Sequence, residues 1–95
     1  MQFLVVSRRR TERFSEAEIA PKLEPEAQMA RALYLEGFIR QIWHRDDAPG
    51  AVLLIEAADR AALDAGLARL PMYQAGMLEA VQIVPLAPYR GFGPR

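Results

Sequence analysis

The chain has 95 residues, of which 52% are hydrophobic, and its 12 basic and 12 acidic residues balance. This balance gives no charge argument for binding nucleic acid or an anionic membrane, and the absence of cysteine excludes disulfides and thiol catalysis. A single histidine leaves no second ligand for a zinc site, so we expect no metal. No signal-peptide pattern and no membrane-length apolar run occurs, so we expect a cytoplasmic protein.

The first third of the chain predicts a strand followed by a helix. Residues 2–7 form a short apolar run that is typical of a buried strand. The S-x-x-E pattern that begins at Ser15 is a capping box, which predicts the start of a helix. Because Pro21 and Pro25 each lack an N–H, we expect a short turn and then a main helix with Pro25 in its first turn. Gly37 is expected to end this helix in a left-handed conformation.

The rest of the chain predicts a hairpin, a second helix and a last strand. Residues 38–45 and 51–57 are expected to be strands, because the segment between them is rich in Asp, Pro and Gly. Asp59 is the predicted N-cap of a helix that ends before Pro71 and carries leucines on one face. Residues 78–86 form the fourth predicted strand, whose late proline fits a strand end or a sheet edge.

The predicted order β-α-β-β-α-β is that of a ferredoxin-like α+β fold, with a four-stranded antiparallel sheet and two helices on one face. We expect a single domain over residues 1–95, in which residues 87–95 form an irregular C-terminal tail. The third strand is apolar on both faces, so the face away from the helices needs an apolar cover. A second copy of the sheet would supply it, which predicts a homodimer of the dimeric α+β barrel type.

Polar side chains on the second strand are candidates for a site, and their faces follow from strand periodicity. One face is predicted to carry Phe38, Arg40, Ile42 and His44, and the other Ile39, Gln41, Trp43 and Arg45. One face is expected to pack against the helices and the other against a partner sheet. Each face would therefore bury a polar group that needs a hydrogen-bond or charge partner.

Arg40 and His44 each have a structural and a functional interpretation. Arg40 can pair with Glu56 or Glu79 across the sheet, which residue type alone favours, or it can hold the carboxylate of a ligand. His44 can be a catalytic base, although a lone histidine is more often a surface residue or a satisfied hydrogen-bonding group. The basic run at residues 8–10 is best interpreted as a solvated loop, since the aromatic pattern of RNA-binding sheets is missing.

Glu26 is a candidate general base. We expect it in the first turn of the main helix, beside Pro25, where free N–H groups favour an ionised carboxylate. Such a carboxylate at the mouth of a pocket can remove a proton next to a carbonyl. The alternative is that Glu26 and Glu24 only complement the helix dipole, and residue type alone favours this alternative.

Four stretches of the chain match a known family pattern: EAQMARALYLEG, the IRQIWHR that follows Phe38, the second helix ending ALDAGLARLP, and the closing strand with its late proline. The resemblance is to the muconolactone isomerase family. It implies a ferredoxin-like subunit that pairs sheet to sheet, in some members within larger rings. It also implies a cofactor-free enzyme that moves a proton within an unsaturated lactone during the breakdown of aromatic compounds.

The resemblance also implies roles for particular residues. By its spacing to the end of the helix, Glu26 matches the carboxylate that shuttles the proton in the family enzymes. Arg40 matches an arginine that can hold the carboxylate of the lactone. The family enzymes carry polar and aromatic residues around the hairpin turn, whereas residues 48–52 have no hydrogen-bonding side chain here. His44 and Tyr34 are the candidates to replace them.

Three functions remain open at this point. The first is an isomerase or related lyase with Glu26 as base and Arg40 as anion holder, acting on a small organic anion or lactone. The second is a non-catalytic dimeric ligand-binding or accessory protein, and the third a purely structural dimer. The expected pocket lies between sheet and helices, lined by Phe3, Trp43, Tyr73 and Met77. A pocket that contains both Glu26 and Arg40 would favour the enzyme, and a pocket that contains only one of them would favour the binding protein. A filled core would favour the structural dimer.

Overall fold

A computed structural model describes residues 1–92 of the chain. Its elements are β1 (Gln2–Arg9), α1 (Glu16–Leu35), β2 (Ile39–His44), β3 (Ala51–Glu56), α2 (Arg60–Leu67), α3 (Pro71–Gln74) and β4 (Leu78–Leu86). The four strands form one antiparallel sheet in the order β2-β3-β1-β4. The fold is therefore the predicted ferredoxin-like α+β fold, with the short helix α3 as an addition that the sequence pattern did not predict.

The main core lies between one face of the sheet and the helices. Alternate residues of the central strands are buried there, and leucines of α1, α2 and the segment after α2 pack against them. The most deeply buried members are Val5, Leu33, Ile39, Leu53, Ile55, Leu63 and Leu70. Burying such a side chain contributes roughly 1.5–3 kcal/mol, so this layer supplies most of the force that holds helices and sheet together.

Helix α1 runs unbroken for 20 residues through both prolines, so the predicted division into a turn and a main helix is wrong. The capping box at Ser15 is confirmed, with Ser15 and Glu18 each bonded to the other's backbone N–H. Pro21 and Pro25 are exposed, so each loses one backbone hydrogen bond on the solvent side while the opposite side stays packed. Tertiary packing outweighs the local proline penalty here.

The predicted stop at Gly37 and the predicted cap at Asp59 are confirmed, whereas the second helix ends at Leu67 and Pro71 begins α3. Gly37 has a φ of +87°, and the Phe38 N–H bonds to the Leu33 carbonyl, which together form the expected left-handed stop. At α2, the Asp59 side chain accepts a hydrogen bond from the Ala62 N–H.

A β-bulge in β2 changes which side chains share a face. Ile39 pairs with Ile55 and Ile42 pairs with Leu53, with a register shift between Ile39 and Gln41. Ile39 and Ile42 therefore both face the helices, and the prediction that they lie on opposite faces is wrong. Strict alternation fails because the bulge sets an extra residue, Arg40, against the partner strand.

The sheet face away from the helices is apolar, and no helix or strand within residues 1–92 covers it. Its register places five apolar side chains there, all of them half-buried: Leu4, Val6, Val52, Leu54 and Val84. The predicted late proline, Pro85, lies in the edge strand β4. The second copy that would cover this face stays a prediction.

The remaining segments are the hairpin turn and the C-terminal tail. The turn between β2 and β3 lies against the end of β1, where the Arg9 N–H donates to the Pro49 carbonyl at 2.9 Å. Residues 87–92 form no helix or strand, and the rest of the predicted tail lies outside the described residues. Between residues 1 and 92, no helix is long and apolar enough to cross a membrane.

Two glycines with positive φ give a matched test of this packing. A Cβ at Gly50, where φ is +148°, would lie 2.2 Å from the Ser7 carbonyl oxygen, whereas a Cβ at Gly37 would have no atom within 4 Å. We expect Gly37→Ala to lower the free energy of unfolding by about 1–2 kcal/mol, the cost of left-handed backbone alone. Gly50→Ala should lower it by roughly 1–3 kcal/mol more, because backbone must move. Equal losses in urea unfolding would contradict this arrangement of the turn.

Candidate functional site

A cavity of about 280 Å³ opens between the sheet, α1 and α3. Its walls come from residues of β1, β2 and β3, from one side of α1 and from the segment around α3, and most of them are apolar, such as Leu53 and Leu70. The polar side chains along the wall are few: Ser7, Arg9, Glu26, His44 and Tyr73. An apolar pocket with a few convergent polar groups is the usual form of a small-molecule site.

Glu26 projects from the middle of α1 and contacts the start of α3. Its Oε1 accepts a hydrogen bond of 2.9 Å from the Met72 N–H, one of the free donors at the N-terminus of α3. The expected position in the first turn of its own helix is therefore wrong, because α1 begins at Glu16. Among the described residues, no hydrogen bond reaches Oε2, so this oxygen is free to act on a ligand.

Two effects act in opposite directions on the Glu26 carboxyl. Partial burial in the apolar cavity raises its pKa above the usual value of 4.5, because the charged form loses solvation. The hydrogen bond from Met72 lowers it, and burial is the larger effect. A carboxylate of raised pKa is a stronger base than a solvated one.

Tyr73 places a phenol at the cavity wall beside Ser7. Its hydroxyl is buried and has no hydrogen-bond partner among the described residues. Burial raises the pKa of Tyr73; the nearby Ser7 hydroxyl opposes that shift and the Glu26 carboxylate adds to it. The Ser7 hydroxyl is itself committed to Ala51, donating to its carbonyl at 3.0 Å and accepting from its N–H at 3.2 Å. Tyr73 is therefore protonated near neutral pH, and its O–H can donate a hydrogen bond to a ligand.

Arg9 is the cationic residue along the cavity wall. Its neighbour Arg8 is held by Glu12, at 2.7 Å, and by Glu79 on the other face of the sheet. Arg9 takes part in none of the ion pairs found within residues 1–92, and its Nε is buried without an acceptor. A half-buried guanidinium without a carboxylate partner is a place where an anion binds favourably.

The predicted site residues divide into two groups. Glu26, His44, Trp43 and Tyr73 all line the cavity, with His44 exposed at the end of β2. Arg40 and Tyr34 do not line it: Arg40 is exposed at the bulge, and Tyr34 is 59% exposed on α1. Their predicted substrate-binding roles gain no support from this geometry.

The partners expected for Arg40 are occupied elsewhere. Glu56 binds the N-terminal ammonium group at 2.6 Å, and Glu79 binds Arg8. Glu79 also lies on β4, at the opposite edge of the sheet from β2. The expected cross-sheet pairing of Arg40 is therefore wrong.

The lining of the cavity also differs from the predicted one. Phe3 and Met77 are buried in the two core clusters and are not part of the cavity wall. Sequence reasoning missed Ser7 and Arg9. Their signal was present, because alternation along β1 places both on the face that carries Phe3 and Val5, but Arg9 was grouped with its basic neighbours as a solvated loop.

Comparisons with known proteins agree with this fold. The family model described as muconolactone delta-isomerase matches residues 1–91. A solved structure of 5-chloro-2-hydroxyhydroquinone dehydrochlorinase from Burkholderia phenoliruptrix, in complex with 2,5-dihydroxybenzoquinone, superposes with a TM-score of 0.67 and 18% identity. The match covers 96% of this chain and 98% of that chain, and it shows a shared fold. No curated protein sequence matches the chain.

The cavity, with its half-buried carboxylate on α1, is thus part of a ferredoxin-like subunit that follows one family pattern along nearly all of its length. The match over residues 1–91 shows that the chain belongs to the muconolactone delta-isomerase family.

Proposed function

We propose that the protein is a cofactor-free isomerase that moves a proton within an unsaturated lactone or a related small carboxylate, with Glu26 as the base. The observation that carries this proposal is the half-buried Glu26 carboxylate of raised pKa in the wall of an otherwise mostly apolar cavity. Family membership supports a role in the breakdown of aromatic compounds. The cavity is also the right size, since about 150 Å³ is enough for a benzene ring.

The proposed reaction uses one carboxylate twice. Glu26 takes a proton from the saturated carbon next to the conjugated C=C–C=O system of the lactone, and the electron pair of the broken C–H bond moves through that system onto the carbonyl oxygen as an enolate. The protonated Glu26 then returns the same proton to another carbon of the conjugated system, and the double bond moves. Its free Oε2 is the atom that carries the proton, because Oε1 is held by Met72. No atoms are gained or lost, and no cofactor is required.

The alternative is a non-catalytic ligand-binding protein of the same fold. It is favoured by one observation: the cavity contains Glu26 but not Arg40, the arginine that the resemblance implies as anion holder. The catalytic role of His44 also remains a prediction, and its place at the cavity wall is compatible with contact to a ligand.

Replacing Glu26 by Gln tests the enzyme directly. The amide can still accept the Met72 N–H bond but cannot take a proton, so we expect isomerisation of muconolactone to fall by about 10²–10⁴-fold. Proton exchange of the lactone in D2O, followed by NMR, measures the step itself. Glu24→Gln is the matched control, because Glu24 is exposed on the same helix. Wild-type protein that neither exchanges nor isomerises unsaturated lactones would leave the binding protein as the better description.

The raised pKa predicts the acid limb of the pH–rate profile. The base must be ionised, so kcat/KM should fall as pH decreases, with a midpoint above the usual carboxyl value of 4.5. Initial rates between about pH 4 and pH 9 measure this midpoint, with circular dichroism at each pH to confirm the fold. A midpoint at or below 4.5 would mean that a solvated carboxylate does the chemistry.

We also propose that two copies pair through the open face of the sheet, within a larger ring if further contacts form. The support is the row of half-buried apolar side chains on that face, including Leu4, Val6 and Leu54, which alternate with buried core residues. Contiguous apolar surface of this kind is typical of a protein interface. Two sheets packed face to face would remove it from water.

A charge on the open face should separate the copies. We expect wild-type protein to sediment at twice or more the mass of one chain, and Leu54→Lys to sediment as a monomer with unchanged circular dichroism, because a buried unpaired charge is costly. Leu35→Lys is the control, since Leu35 is 78% exposed on α1. A wild-type monomer, or an unaffected Leu54→Lys assembly, would contradict pairing through this face.

A further inference from the structure

Two hydrogen-bond donors at the cavity wall have no acceptor within residues 1–92. The Tyr73 hydroxyl and the Arg9 Nε are both buried, and neither has a hydrogen-bond partner among the described residues. An unsatisfied buried donor is destabilising, and native proteins contain few of them. Both residues line the same cavity as Glu26, so an acceptor bound in that cavity can satisfy them.

We infer that Arg9 and Tyr73 form an oxyanion-binding end of the cavity, which selects ring compounds that carry a carboxylate or enolate oxygen. The guanidinium supplies the charge and a planar set of donors, and the phenol supplies one directed O–H. Glu26 lies on the helix side of the same cavity, so a ligand held at this end would present its ring carbons to the base.

Neighbouring groups leave these two donors available. Ser7 is fully buried, and its hydroxyl donates to the Ala51 carbonyl and accepts from the Ala51 N–H; within residues 1–92, neither the Tyr73 hydroxyl nor the Arg9 Nε makes a hydrogen bond to it. The carboxylates of Glu12 and Glu79 bind Arg8 on the other face of the sheet, and no ion pair within residues 1–92 includes Arg9. Both donor atoms are covered in the free chain, so the Arg9 side chain must shift as a ligand enters; donors in empty sites often align only in the complex.

The position of these residues also accounts for the bare hairpin turn. Residues 48–52 have no side chain able to bond a ligand, and Gly50 lies too close to the Ser7 carbonyl to admit even a methyl group. The donors at this end of the cavity therefore come from β1 and α3. This inference deepens the proposed function, on which it rests for the ring substrate, by naming the groups that recognise its oxygen.

Benzoate is a suitable probe, because it is a ring with a carboxylate and cannot be isomerised. We expect wild-type protein to bind benzoate at least about tenfold more tightly than benzyl alcohol, a neutral ring of similar size, in calorimetric titrations. Arg9→Met should weaken benzoate binding by about tenfold or more and leave benzyl alcohol within about threefold. Tyr73→Phe should weaken benzoate binding by roughly three- to tenfold.

Controls separate recognition from folding. Arg31→Met and Tyr89→Phe change the same residue types at exposed positions and should leave benzoate binding unchanged. Tyr73→Phe removes an unpaired hydroxyl, so its melting temperature should equal or exceed that of the wild type. Arg9→Lys, which keeps the charge but loses the planar fork, should retain part of the affinity.

The benzoate-binding test of the oxyanion-binding end does not depend on whether the protein is an enzyme. If Glu26→Gln shows that the protein is not an isomerase, benzoate binding that depends on Arg9 and Tyr73 still supports the oxyanion end. Equal affinities for benzoate and benzyl alcohol, or benzoate binding that is unaffected by Arg9→Met, would overturn it. Failure of the wild type to bind benzoate would overturn it as well.

Discussion

A hydrogen bond of 2.9 Å from the Met72 N–H to the Glu26 carboxylate joins the middle of α1 to the first turn of α3. This bond stabilises a half-buried carboxylate at the edge of an apolar cavity. The charge is less well solvated there than it would be in water. Because the folded chain raises the pKa of this carboxyl, ionised Glu26 disfavours folding. That cost is absent below the usual value of 4.5 and is complete once the pH exceeds the raised value. Such a cost is typical of a group retained for chemistry.

The geometry of α1 makes this contact possible. If the helix began at Pro25, Glu26 would lie among the free N–H groups of its own first turn and would need no other partner. Since α1 instead begins at Glu16, the backbone N–H groups around Glu26 are internal to the helix, and its side chain meets the N-terminus of α3. The exposed prolines are tolerated because the opposite side of the helix buries Ile19 and Leu33.

Charge in the cavity is arranged around β1. Alternation along this strand sends Arg8 to the open face, where Glu12 and Glu79 neutralise it, and Arg9 to the cavity, where no described residue does. The two adjacent arginines thus have different roles: Arg8 forms ion pairs on the open face, and Arg9 lies at the candidate site. The close contact between Gly50 and Ser7 fixes the turn against the same strand and leaves the donors at this end to β1 and α3.

The sequence by itself determined the ferredoxin-like element order, the capping box at Ser15, the stop at Gly37 and the cap at Asp59, because each depends on contacts between residues close in the chain. It also singled out Glu26, through spacing that a family resemblance made meaningful. Only the tertiary structure decided which arginine lines the cavity. A bulge in β2 puts Ile42 on the same face as Ile39, with Arg40 exposed beside them, and period-two reasoning fails wherever a strand gains one residue. Whether a buried carboxylate, phenol or guanidinium has a hydrogen-bond partner depends on elements that are far apart in sequence. A local sequence pattern does not determine which of these elements come into contact.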